Sequence, residues 1–209
     1  RTQSENSGED RVVFDLKAGG RYLSGERKLQ IDSLLVSSPM GQMAGSLELT
    51  LHGQVSPEIS FGAQLPEMKV AAVKQLWPFW MARKPRDWVM ANMFGGDITN
   101  GSIAVFIPAG RMKGPGIPLN LDERELQISF DIAGNRLVLP GDIPPLMDLT
   151  GHFDLKGEKL GVKVAKASAT FPSGRVVNVE GGTFGIGDTY MKPLMADLDI
   201  KVAGKADAI

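Results

Sequence analysis

At 209 residues the chain is long enough for one large β domain or two small ones, with a real core. Its 23 basic and 24 acidic residues are interspersed, without the basic excess or stripe of a nucleic-acid binder. Cysteine is absent, which excludes disulfides, thiolate metal sites and a cysteine nucleophile, and fits an oxidising compartment.

The opening "RTQSENSGED" is polar and carries both charges, so residues 1–10 are expected to be a disordered lead-in, and the chain a piece of something longer. From there Val12, Phe14 and Leu16 alternate with Val13, Asp15 and Lys17, the period of a strand with one buried face. Leu29 and Ile31, a small-residue turn over 37–45, and Leu47, Leu49 and Leu51 predict a hairpin, and "EISFGAQL" a further strand.

The pattern then breaks. Pro66 and Glu67 suit a helix start, "EMKVAAVKQL" is rich in helix formers, and Pro78 closes the segment. A second helix is predicted from near Pro85 to Gly95-Gly96, with Trp88, Val89 and Met93 on one side and Arg86 and Asp87 toward water. All three tryptophans, Trp77, Trp80 and Trp88, lie in this insert over 66–95. The longest uninterrupted apolar run, Leu76 to Ala82, is too short to cross a bilayer.

Beyond the insert the alternation resumes at Ile103, Val105 and Ile107, then at Leu126, Ile128, Phe130 and Ile132. Phe153 and Leu155, a Gly157-Glu158 turn, and Leu160, Val162 and Val164 predict another hairpin. Val177 and Val179, then Leu198, Ile200 and Val202, complete about ten strands. The stretches 28–53 and 159–187 both run strand, turn with Pro and Gly, strand. Such a repeat points to stacked hairpins, although any antiparallel protein made of hairpins is self-similar to this degree. The expected fold is mainly β: one elongated, twisted antiparallel sheet forming an open, taco-like apolar groove over residues 11–209, with two short helices in a crossover.

Motifs for catalysis are sparse. HExxH, GxSxG and GxxxxGK[ST] are absent, and the glycines of "EGGTFGIGDT" lack the strand-to-helix context of a dinucleotide fingerprint. Asp197 and Asp199 read as the solvent face of a strand rather than a carboxylate pair. His52 and His152 by themselves make a poor metal site. No cofactor and no metal are expected, and the chain reads as non-enzymatic.

The insert carries a resemblance. Trp77-Pro78, Lys84-Pro85-Arg86-Asp87-Trp88 and Gly95-Gly96-Asp97-Ile98-Thr99-Asn100-Gly101 resemble the middle region of long AsmA-like proteins of Gram-negative bacteria, the YhdP-type branch. The motif covers about thirty-five residues, and the flanking strands agree only in style. The resemblance implies an inner-membrane-anchored periplasmic chain related to bridge-like lipid-transfer proteins. It implies phospholipid movement between inner and outer membranes, with neighbouring repeats and membrane proteins as partners.

Two functions follow. In a lipid conduit, Leu49, Ile128, Phe130, Val162, Val179 and Ile200 would face acyl chains. In a structural or assembly module, the same face would be closed by the chain's own helices or by a neighbouring repeat. Carbohydrate binding comes third, since aromatics outside the insert are too few for a sugar platform. About ten strands at ~4.8 Å span on the order of 50 Å, more than two helices of roughly 15 Å each cover. Trp77, Phe79, Trp80 and Trp88 form either a plug at the end of the core or a lid touching lipid. The fixed Pro and Gly positions favour the plug.

Overall fold

Eleven strands form a single open antiparallel sheet in the computed structural model, which describes residues 12–79, 81–114, 117, 119–139 and 141–204. The lead-in expected over residues 1–10 and the side chain of Trp80 lie outside the described residues. The strands are β1 (Asp15–Leu23), β2 (Lys28–Ser38), β3 (Gly41–Thr50), β4 (Glu58–Lys69), β5 (Met93–Phe94) and β6 (Asp97–Ile107). They continue with β7 (Leu126–Leu137), β8 (Leu146–Lys156), β9 (Lys159–Thr170), β10 (Val176–Ile186) and β11 (Asp197–Ala203). Apart from β5, which pairs with the end of β7, every strand lies beside its neighbours in sequence. That meander is the simplest topology for strands joined by short connections. The mainly β, open-sheet expectation holds.

The two-residue loop between β8 and β9 is the predicted Gly157-Glu158 turn, closed by the Lys156–Lys159 pair. Gly157 has φ 58°, and a side chain there would meet the backbone of Asp122 at 2.5 Å. Both the turn and the close approach require glycine. The self-similar stretches 28–53 and 159–187 supply β2–β3 and β9–β10, with β2 and β10 each second from an edge.

Two helices, α1 (Val70–Leu76) and α2 (Arg83–Asn92), lie between β4 and β6. The expected helix start at Pro66 is wrong: Pro66 to Lys69 continue β4, which pairs with β6 down to Lys69–Asp97. Proline is tolerated there because pairing skips it on both sides. The β3 register shifts between Gly41 and Ala44, and on β6 the pairs jump from Leu65–Gly101 to Glu67–Thr99. The helical excursion therefore begins and ends at one point of the sheet. Lys69 bonds Asp97 at 2.6 Å, and the Val70 amide donates to the Gly96 carbonyl at 3.3 Å. The insert is an enlarged turn between two adjacent strands.

Trp77 ties this turn together. It is 9% exposed, its indole N–H donates to the Met81 carbonyl at 3.1 Å, and its own carbonyl accepts from Arg86 Nε at 3.2 Å. Arg86 is thus buried rather than turned to water. Burial lowers its pKa from the ordinary value, with Asp87 opposing the shift. Trp88 is half-buried and stacks on Phe184 of β10, with ring centroids 5.4 Å apart, which seats α2 on the far part of the sheet. Phe79 departs from the expected plug, since it is 69% exposed at the tip of the linker.

Apolar residues on one face of the sheet build two clusters. The larger runs from β6 to β10 under α2 and includes Phe130, Phe153, Leu155, Val162 and Val179. The smaller joins Val36, Met43, Ala63, Leu65 and Met68 to Ala72 of α1. Phe61, Val73 and Ile103 touch both.

Candidate functional site

The two clusters meet around a cavity of about 360 Å³, bounded by α1, the linker and the inner face of β3, β4, β6 and β7. The strand alternation supplies the floor: Leu47 and Leu49 from β3, Ile59 and Phe61 from β4, Val105 and Ile107 from β6. Helical spacing supplies the roof, with Val70, Val73 and Leu76 presented by α1 and Trp77 just past its end. The described lining residues are apolar except Lys74 and Ser102. The volume falls within the roughly 300–1,000 Å³ typical of small-molecule pockets.

Among the described lining residues, Lys74 is the charged one. It is 3% exposed, its ammonium donates to the Met93 carbonyl at 2.9 Å, and it lies 4.4 Å from the centroid of the Phe94 ring. A buried ammonium needs such partners because the apolar surroundings do not solvate it. The cavity is suited to an apolar chain, and its described lining residues include no paired acid and base. Comparison with family models, curated proteins and solved structures finds no match for this chain.

Of the six residues read from sequence as a lipid-facing set, three line the cavity: Leu49, Ile128 and Phe130. Val162 and Val179 lie elsewhere, each 2% exposed within the larger cluster, and Ile200 is half-buried against it. Their distance from the cavity follows from what covers them. Trp88 packs over Phe184, and Leu119 and Leu121 of the connection between β6 and β7 are buried in the same cluster. The segment after β10 folds back, with the Thr189 amide donating to the Glu158 carbonyl at 3.1 Å.

Sequence reasoning missed Ile59, Phe61, Val73 and Leu76 as lining residues. Their signal was present, a period of two in β4 and of three to four in α1, but nothing in it marked the place where the two surfaces fail to close. Trp77 lines the cavity whereas Trp88 does not. His52 lies just after β3 and His152 in β8, with β4, β6 and β7 between those strands, so the histidines do not meet. Asp197 and Asp199 are both exposed, as a solvent-facing strand edge requires. Among the described residues no cluster of three or more metal-ligating side chains occurs, and no helix is long and apolar enough to cross a membrane.

Proposed function

We propose that this chain holds a lipid acyl chain in the cavity beneath α1, as one segment of a path for phospholipid. The observation that carries this reading is the cavity itself: about 360 Å³ with an almost wholly apolar wall. An apolar void of that size leaves its lining without dispersion partners, and an acyl chain supplies them. Leu49, Ile128 and Phe130 would touch the acyl chain. Val162 and Val179 would support the scaffold instead.

The AsmA-like resemblance of the tryptophan insert supports placing this segment in the periplasm, in an inner-membrane-anchored chain moving phospholipid between inner and outer membranes. On that reading its partners are phospholipid, neighbouring repeats and membrane proteins at either end. A structural or assembly role is the second reading. It is favoured by the β8–β10 region, where the chain's own segments already close the apolar face.

Organic extraction of the purified chain followed by mass spectrometry tests the proposal. A bound acyl lipid is expected, reduced by Ile59→Trp, which fills the cavity, and retained by Lys163→Asp on the opposite face. Absence of lipid after purification, with no uptake of a fluorescent fatty acid by the same sample, would leave only the structural reading.

A further inference from the structure

On the face of the sheet opposite the cavity, four side chains from three adjacent strands form one hydrogen-bonded line. Ser129 Oγ lies 3.0 Å from His152 Nε2, and His152 Nδ1 lies 2.7 Å from Asp131 Oδ1. The other Asp131 oxygen accepts from Asn100 Nδ2 at 2.8 Å. The arrangement follows from register: Asp131 and His152 are direct partners across β7 and β8, and Ser129 is two residues along β7 on the same face. Asn100 reaches Asp131 from a shift in the β6–β7 ladder, where its φ is 51°. No contiguous motif records these residues, so the pattern emerges only once the strands are paired.

We propose that Ser129 is an activated nucleophile able to cleave small activated esters, with His152 as its general base and Asp131 and Asn100 as positioning residues. This is independent of the lipid reading. Asp131 accepting at Nδ1 fixes the tautomer in which Nε2 is free to take the serine proton. The Asn100 amide and His152 hold the Asp131 carboxyl below the usual carboxylate range, which keeps it ionised as an acceptor. Asp154 Oδ2 also faces Nε2, at 3.4 Å, farther than Ser129. Lys163, the partner of His152 on β9, is exposed on the same face and is the nearest cation in register for a developing oxyanion.

The step balances without a cofactor. Ser129 Oγ bonds the ester carbonyl carbon as its proton passes to His152 Nε2. The bond to the leaving oxygen then breaks, and that oxygen takes the proton from Nε2. Water repeats the sequence on the acyl-serine: it gives a proton to Nε2, its oxygen bonds the carbonyl carbon, and Ser129 leaves with the proton, releasing the carboxylic acid. The side chains of His152 and Asp131 are 38% and 44% exposed, so the line is open to small substrates from solvent.

A fluorophosphonate probe applied to the full chain, with peptide mapping by mass spectrometry, tests the assignment. Ser129 is expected to be labelled at least about tenfold faster than Ser60, an exposed serine of β4. His152→Gln should slow Ser129 labelling on the order of 10²-fold, within the range for loss of a general base. p-Nitrophenyl acetate hydrolysis should fall in parallel and be abolished by Ser129→Ala. Asp131→Asn should slow labelling severalfold while the protein stays folded, with only a small fall in melting temperature. Labelling of Ser129 no faster than Ser60, or unaltered labelling in a folded His152→Gln protein, would overturn the proposal and leave a stabilising polar ladder.

Discussion

Two rows of directly paired residues cross the same face of the sheet and end differently. One runs Phe130, Phe153, Val162, Phe184 and Leu198 across β7 to β11. The other runs Ile107, Ile59, Leu49, Leu29 and Tyr22 from β6 back to β1. The first is sealed until its last member, with Phe153 at 0% and Leu198 at 38% exposure. In the second, Ile59, Leu49 and Leu29 are already half-exposed, and Tyr22 reaches 55%. Both rows come from strands of the same alternating type. Alternation decides which face a residue takes; what lies over that face is decided by segments remote in sequence. In the first row these are α2 with Trp88, the β6–β7 connection and the turn after β10. In the second, among the described residues, the cover is α1 and the linker with Trp77 and Met81, and the cavity marks where it falls short.

The largest expected effect separates the rows directly. Val162→Asp places an unpaired charge inside a closed cluster and should cost on the order of 4 kcal/mol, enough to unfold a marginal domain. Leu49→Asp places the same charge where water is within reach, and should cost about 1 kcal/mol. Chemical denaturation of both variants measures the gap. Equal losses would show that the two rows are covered alike.

How much of this was legible beforehand depends on the distance over which the physics acts. Strand positions were readable because a period of two is local, as at Ile128 to Ile132 and Leu160 to Val164. The open antiparallel sheet was readable because most strands are followed closely by their partner, although the insert between β4 and β6 and the long β6–β7 connection are not short turns. Pro66 misled because proline suits a helical first turn, and only pairing with β3 and β6 revealed the skipped position that holds it in a strand. Arg86 misled for a related reason: the carbonyl that holds it, Trp77, belongs to the preceding linker. The cavity was half legible, through Leu49, Ile128 and Phe130. Val162 and Val179 share their pattern and differ only in their cover.

Trp88 sharpens the comparison because it belongs to that cover. Trp88→Ala removes a half-buried ring stacked on Phe184, and about 2–3 kcal/mol is expected, below the range for emptying a fully enclosed aromatic site. Trp88 does not line the cavity, so any bound lipid should be retained. Thermal unfolding and lipid analysis on one sample check both statements. Loss of lipid at unchanged stability would make α2 a lid over the path rather than a cover for the β8–β10 core.

Fluorescence of a bound fatty acid gives a finer test at the seam. Leu49→Trp and Ile59→Trp each add bulk to the cavity wall, so each should lower uptake severalfold and change stability by less than about 1.5 kcal/mol, since void space absorbs the added volume. The same enlargement at Val179, in the closed part, should cost about 1–3 kcal/mol through overpacking and leave uptake unchanged. A stability loss at Leu49 as large as that at Val179 would mean that the void is too narrow for an added ring.

The smallest effect concerns the outer face, where both halves meet water and cover plays no part. The Asp131 carboxyl is held below its ordinary value, first by the Asn100 amide and then by His152. A depressed carboxylate contributes stability that is fully present above the unfolded value, about 3.9, and is lost as pH falls through the lower folded value. With the side chain 44% exposed, solvent screening keeps the contribution to roughly 0.2–1 kcal/mol. Wild type should therefore exceed Asp131→Asn in melting temperature by a constant small margin above about pH 5, and the margin should narrow as pH falls below the ordinary carboxylate value of about 3.9. A margin that widened on acidification would reverse the sign and show that Asp131 is stabilised in its protonated form. In that case the line from Asn100 to Ser129 would run with the opposite hydrogen-bond polarity, and His152 would lack the acceptor that fixes its tautomer.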